Sequence, residues 1–194
     1  MEMPGRQTLL RFHIDTNRIN SKRKLECMNI LEHWNDAGVI YIEMAERAQI
    51  EALQAYDKKR SKKAYTYIAT ETLAETADEI QLMKKIAAAL FPDGIRDPKE
   101  RNDVEIVFNA HKYYAILITD DGGSRRQPGG ILGNRDKLRG LGIEVMRDFE
   151  AVELVKQELV ERDKIAREIS LIDSICLPDW VGKDLEILKL VGHQ

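Results

Sequence analysis

The sequence predicts an α/β domain built on a parallel sheet. Strand-like and helix-like patterns alternate along the chain, which argues for parallel strands joined by helical crossovers. Two apolar runs, Leu10–Ile14 and Ala115–Thr119, end in acids: Asp15 follows the first, Asp120 and Asp121 the second. In an open parallel sheet the carboxyl ends of the strands border the ligand crevice, so acids placed there converge on one site. Converging carboxylates repel one another unless something positive lies between them, and the usual partner is a divalent metal.

After the first strand, Ser21 can cap a helix running to about Ala37, with Leu25, Met28, Ile30 and Leu31 inward and Gly38 as its stop. Val39–Ile42 reads as a short strand. From Glu43, the helical spacing of Met44, Ala48, Ala52, Ala55 and Tyr56 leads into the basic run Lys58-Lys59-Arg60-Ser61-Lys62-Lys63. A further helix spans Glu71–Leu90 and is ended by Phe91-Pro92-Asp93-Gly94. Asp97-Pro98-Lys99-Glu100 is a helix start, with a capping Asp, Pro in the first helical position and Glu three residues after the cap.

That helix carries Ile106, Val107, Ala110, Tyr113 and Tyr114 as its apolar face, and Asp103 lies on the same stripe. A carboxylate there either caps locally near the helix start or points into the acidic crevice. The segment Gly122-Gly123-Ser124-Arg125-Arg126-Gln127-Pro128-Gly129-Gly130 is too rich in glycine to be regular and forms a loop at the mouth of the crevice. It has neither the Lys-Ser/Thr ending of a P-loop nor the spacing of a dinucleotide-binding loop. A short helix over Asn134–Arg139 and a strand over Ile143–Met146 follow.

Asp148–Ile172 then reads as a long helix with Val152, Val155, Leu159, Ala166 and Ile169 along one seam, packed on the domain or on a second copy. Pro178 breaks the pattern, and Trp180–Val191 adds a short amphipathic element. The expected division is one domain over residues 1–150 and a C-terminal helical extension over residues 151–194, the latter packed on the domain or on a partner.

Composition excludes more than it identifies. A chain of 194 residues suits one well-buried domain with an appendage. The net charge of -3 gives no global basic footprint, so any nucleic-acid contact must come from local patches. No apolar run approaches a membrane span and no secretory leader is visible, so the expected compartment is the cytoplasm, without membrane contact. Cys27 and Cys176 are too few and isolated for a disulfide framework or a zinc site and are expected to be buried thiols. His13, His33, His111 and His193 follow no metal-ligand spacing, which leaves them solvated or structural roles.

Taken in order, Asp15-Thr16-Asn17, then Asp103-Val104-Glu105-Ile106-Val107-Phe108-Asn109-Ala110, then Leu117-Ile118-Thr119-Asp120-Asp121, then Leu141-Gly142-Ile143-Glu144-Val145 resemble the PIN-domain family, over Leu9–Glu150. The resemblance implies a three-layer α/β/α sandwich that gathers three or four acids around magnesium or manganese. It also implies ribonuclease activity, in many members as the toxin of a toxin–antitoxin pair.

Carried over by residue, Asp15 is the first acid, with Thr16 and Asn17 completing Asp-Thr-Asn, and Asp103 matches the acid of the family's Asp-x-x-Ile-x-x-x-Ala helix. Thr119 and Asp121 match Thr-x-Asp, which leaves Asp120 in the variable position with a supporting role. The remaining acid is Glu46 in this reading, since it follows Ala45 as the family's Ala-Glu does; Glu43, which opens the helix, and Glu51, nearer its apolar face, are the alternatives.

The chemistry fits these residue types without the family name. Phosphodiester hydrolysis needs a water made nucleophilic near neutral pH and a neutralised leaving oxygen, and divalent ions held by carboxylates supply both. Magnesium keeps several waters, so a few acids suffice. Strand phosphates need a positive approach, which Arg125 and Arg126, Arg135, and the run Lys58, Lys59, Arg60 can provide; the alternative for that run is a solvated loop.

The expected activity is therefore metal-dependent cleavage of single-stranded RNA, with Asp15, Asp103 and Asp121 as ligands of Mg2+ or Mn2+. The expected partners are RNA, an antitoxin-type protein and a second copy. The competing readings are another magnesium-dependent phosphoryl hydrolase and a non-catalytic RNA-binding or assembly module.

Overall fold

The computed structural model describes residues 2–54, 56–125 and 127–188. Ala55, Arg126, His193 and the end of the Trp180–Val191 element lie outside the described residues. In chain order the elements are β1 (Arg11–Ile14), a single 3-10 turn (Thr16–Arg18), α1 (Glu26–Asp36), β2 (Tyr41–Ala45), α2 (Glu46–Gln54), α3 (Lys58–Ala64) and β3 (Ile68–Thr70). There follow α4 (Ala77–Leu90), α5 (Pro98–Lys112), β4 (Ile116–Ile118), α6 (Gly130–Gly133), α7 (Arg135–Arg139), β5 (Val145–Met146) and α8 (Asp148–Asp173).

The strands form one sheet in the order β3-β2-β1-β4-β5, and every pairing is parallel. On β1, Phe12, His13 and Ile14 point to alternating faces yet all are fully buried, so both faces of the sheet are covered. On one side α1, through Met28, Ile30, Leu31 and Trp34, packs with α8. Helix α5 packs with α4 and α2 and lies against β2 and β4. The chain moves outward from β1 to β2 to β3 and then returns to place β4 on the other side of β1. That reversal makes a topological switch between β1 and β4, and the crevice of an α/β sheet opens at the carboxyl ends of such a pair.

Helix α8 adds Ala151, Val152, Val155 and Leu159 to the same core as Trp34 and Met28. Beyond it the chain folds back. Trp34 Nε1 donates to the Asp184 carbonyl at 2.7 Å, and Arg162 pairs with both Asp163 (2.6 Å) and Asp184 (3.1 Å) while stacking on Trp180. Arg6 also pairs with Asp184 at 2.6 Å, so the buried charges are matched by partners, as buried ions require. Among the described residues no helix is long and apolar enough to cross a membrane.

Several elements differ from the sequence expectation for identifiable reasons. Helix α1 starts at Glu26, not after Ser21: Asn20 holds Leu25 through both its backbone N–H and carbonyl, and Arg23 adopts a positive φ of 54° that no helix permits. The basic run is not a loop. Asp57 caps it by accepting from Lys59 N–H (2.9 Å) and Arg60 N–H (3.2 Å), which nucleates α3. Strand β3 was not expected, and α4 begins six residues later than Glu71, where Thr76 and Glu79 form a capping box. Helix α5 starts as expected, with Asp97 capping Lys99 and Glu100. Cys27 is half-buried and Cys176 exposed, instead of both being buried.

Candidate metal centre

The fold brings the ends of β1 and β4 together, and their side chains close a small polar network. Asp15 N–H donates to the Ile118 carbonyl at 3.0 Å, locking the first acid beside the second strand. The Asp15 carboxylate accepts from Thr16 N–H (2.5 Å), Thr16 Oγ1 (3.2 Å), Asn17 Nδ2 (2.6 Å) and Thr119 Oγ1 (2.7 Å). Asn17 and Thr119 are also bonded to each other at 3.1 Å, and the Thr119 hydroxyl accepts from Asp121 N–H at 3.0 Å. Thr16, Asn17 and Thr119 therefore all donate to the Asp15 carboxylate. Burial pushes the Asp15 carboxyl upward; the bonds from Thr119 and Thr16 pull it back, and Asp121 adds to the rise.

Asp121 organises the glycine-rich loop. Its carboxylate accepts from Gly123 N–H (3.1 Å) and from Ile131 N–H (2.8 Å), stapling the two ends of the loop. The close approach demands glycine: Gly130 has φ 61°, and a Cβ there would sit 2.5 Å from Asp121 Oδ2. Asp120 turns away. Its carboxylate pairs with Arg18 and Arg147, each at 3.4 Å, on the exposed side of the network.

Asp103, from the second turn of α5, faces this network and does not cap its own helix, a role taken by Asp97. Its carboxyl is raised to about 7, first by burial and then by the charges of Asp15, Asp121 and Glu51. A contact from the Gln127 side chain tempers the rise. Glu51 is likewise raised, by burial and by Asp15, against a bond from Asn102.

Among Glu43, Glu46 and Glu51, Glu51 is the one whose charge acts on Asp103 and is itself acted on by Asp15. Glu46 opens α2 on its exposed side. Glu43 is taken elsewhere: it pairs with buried His13 at 3.2 Å and with Arg11 at 3.6 Å, and the bond to His13 holds its carboxyl below the ordinary range. The fourth acid differs from the Ala-Glu expectation because β2 runs on to Ala45, which delays the helix and rotates Glu46 outward.

A cleft of about 530 Å³ leads to the cluster, lined by Thr16, Glu51, Asn102, Arg60 and Lys99. Arg60 also donates to the Thr16 carbonyl, so one residue of the basic run reaches the site. Lys58 and Lys59 are exposed on α3, and Lys63 is drawn off by Glu32 at 2.9 Å. Arg125 is exposed and lines a second cleft of about 430 Å³ with Arg96 and Glu100. Lys99 and Arg96, which carry no motif in the sequence, are the cations that sequence reasoning missed. Arg135 pairs with Glu150 at 3.0 Å.

The donor set fits a hard divalent cation by charge and by ligand chemistry, since it consists of carboxylates from four separate elements with Gln127 and hydroxyls around them. Among the described residues no three of His, Cys, Asp or Glu stand close enough to enclose one ion.

No protein-family model and no curated protein matches the chain. Among solved structures, the chain is similar to one described as VapBC2 from Rickettsia felis bound to a DNA fragment from their promoter. The two share 13% identity with a TM-score of 0.44, over 71% of this chain and 98% of that one.

Proposed function

We propose that the protein is a metal-dependent nuclease of PIN type that hydrolyses phosphodiester bonds of single-stranded RNA, with Asp15, Asp103 and Asp121 as metal ligands and Glu51 as the fourth acid. The observation that carries this reading is that the charges of Asp15, Asp121 and Glu51 all act on Asp103 near the switch point of the sheet, where with burial they lift it to about 7. Acids perturbed by burial and by one another beside a cleft are candidates for a functional site.

Asp15, Asp103 and Asp121 would hold Mg2+ or Mn2+, which would supply a water made nucleophilic near neutral pH and charge neutralisation for the leaving oxygen. The protein's own part is positional. Thr119, Thr16 and Asn17 fix both oxygens of Asp15, the loop amides fix Asp121, and Asn102 fixes Glu51. Arg60 and Lys99 flank the cleft that leads to Glu51, where they can hold strand phosphates without reading sequence. Domain-sized residues 1–150 carry the acids, and α8 with the returning tail braces α1 behind them.

The test is incubation of the purified protein with a labelled single-stranded RNA panel in manganese and in chelator. Cleavage in manganese that vanishes in chelator and in Asp103→Asn is expected. Cleavage unaffected by chelator overturns the metal; absence of cleavage with RNA binding retained favours the assembly-module reading.

A further inference from the structure

Helix α3 carries charge where its own energetics oppose it. Its seven residues include five cations and no acid; Lys58 and Lys59 stand in the first turn, against the helix dipole, and Lys58 meets Lys62 one turn on. The fold secures the helix regardless. Asp57 caps it, Ser61 Oγ donates to the Ala52 carbonyl at 3.0 Å, and Ala64 is buried. Lys63 is held by Glu32 at 2.9 Å, but among the described residues the exposed Lys58, Lys59 and Lys62 have no carboxylate at ion-pairing distance.

A second basic run borders the first. Arg60 donates to the Thr16 carbonyl at one end of α3, and at the other Lys63 and Tyr67 both bond Glu32 of α1. Between Thr16 and Glu32 the chain makes the turn that carries Lys22, Arg23 and Lys24, all exposed. That turn is fixed. Asn20 bonds both backbone groups of Leu25 at 3.2 Å, and Asn29 Nδ2 donates to the Arg23 carbonyl at 3.1 Å, with Arg23 at φ 54°. At the start of α3 the Asp57 carboxyl is held below the ordinary range by the Arg60 and Lys59 N–H groups and then by the charges of Lys22 and Lys59, in keeping with a close approach of the two runs. Tyr56, fully exposed, and Tyr65, 70% exposed, flank α3.

We propose that α3 and the Asn20–Leu25 turn form an exosite that holds single-stranded RNA several nucleotides away from the bond that is cut; this rests on the nuclease reading above. Arg60 provides the continuity, because it stands on α3 and also lines the cleft with Thr16, Glu51 and Lys99. A strand that leaves the cleft past Arg60 meets the lysines. The whole chain has a net charge of -3, so this concentration of cations is a local patch. Lysines hold phosphates as flexible point charges without reading sequence, and Tyr56 offers a face on which an unpaired base stacks. A duplex keeps its bases within its own stack and gains nothing from the tyrosine, which favours a single strand.

The experiment measures anisotropy of labelled oligouridylates of about 4 and about 16 nucleotides across a salt series in chelator, which separates binding from cleavage. Wild type is compared with Lys58→Ala/Lys59→Ala/Lys62→Ala, with Lys22→Ala/Arg23→Ala/Lys24→Ala, with Tyr56→Ala, and with Lys84→Ala/Lys85→Ala on α4 as a control for net charge. Wild type should bind the longer strand about 10- to 100-fold more tightly than the shorter; each triple variant should erase most of that advantage and lower the salt slope of the longer strand by about 2. Tyr56→Ala should lose about tenfold on the longer strand with its slope unchanged, since a neutral side chain releases no counterion. A wild type without length preference overturns the exosite, and so does a control variant that loses as much as the triple variants. Tyr56→Ala equal to wild type, with polyglutamate competing as well as RNA of the same charge, also overturns it and makes the patch a site for an acidic protein. Should one triple variant melt well below wild type, the other, on a separate element, decides. Cleavage in manganese tests the nuclease reading separately: a wild type that shows the length preference yet cuts nothing loses that reading and retains the RNA-binding surface.

Discussion

Thr119 Oγ1 donates to Asp15 Oδ2 at 2.7 Å, joining the ends of β1 and β4 across 104 residues of sequence. The same hydroxyl accepts from Asn17 Nδ2 and from Asp121 N–H, which uses its one donor and both acceptor positions. Thr119 thus fixes the relative placement of two of the proposed ligands from a fully buried position.

Thr119→Val keeps the shape and removes all three bonds. Leaving these buried groups without their partner should cost about 1–3 kcal/mol of stability, read by urea denaturation. Cleavage should fall more steeply than the stability loss explains, because Asp15 and Asp121 both lose their register. A variant with wild-type activity would show that the bridge is dispensable to the site.

The acids divide by where they point. Asp15→Asn, Asp103→Asn, Asp121→Asn and Glu51→Gln should each remove most cleavage, since a neutral amide is a poor ligand for a hard cation. Asp120→Asn and Glu46→Gln should retain most of it: Asp120 pairs with Arg18 and Arg147, and Glu46 faces outward. Rates of RNA cleavage in manganese check the division, and a damaging Glu46→Gln with a harmless Glu51→Gln would reverse the assignment of the fourth acid.

The rim should register in salt dependence. Lys99→Ala and Arg125→Ala each remove an exposed cation beside a cleft, so each should lower the slope of log affinity against log salt by about 0.7. Lys63→Ala should leave the slope unchanged because Lys63 is committed to Glu32.

Stability in chelator should depend on pH with opposite signs at two places. Asp103 is raised in the folded protein to about 7 from an ordinary value of 3.8, so between those values the folded state holds the extra proton. Stability contributed by Asp103 therefore declines as pH rises from about 4 to about 7. Glu43 is lowered by His13, so its contribution is present above its ordinary value of 4.5 and is lost on acidification. Asp103→Asn should reduce the loss toward neutral pH, to which the raised Asp15 and Glu51 also contribute, and Glu43→Gln should reduce the loss in acid, each read as midpoint denaturant concentration against pH.

The strand ends, the Asp97-Pro98 helix start and the glycine loop were legible because each is a local signal. Asp103 was legible as an anomaly, a charge on an apolar stripe. What the sequence hid depends on register. Three residues separate the expected end of β2 at Ile42 from its observed end at Ala45, so α2 begins at Glu46 and not at Glu43. Strand β3 has two exposed residues of three, too short and too open for a pattern to show. Helix α3 buries Ala64 alone and is set by the Asp57 cap, which composition disguises as a charged loop.

The central claim is that the acids form a site whose charge is tolerated for the sake of a cation, and thermal melts of wild type and Asp103→Asn in chelator and in manganese test it most directly. Asp103 is the better probe than Asp121, whose two oxygens also staple the loop. A divalent ion that binds only the folded protein should stabilise wild type by about 2.7 kcal/mol at about 100 times its dissociation constant. Asp103→Asn should melt at or above wild type in chelator, relieved of a repelled charge, yet gain little from manganese. A wild type indifferent to manganese, together with an Asp103→Asn variant that melts well below it in chelator, would contradict the account and make Asp103 a structural residue.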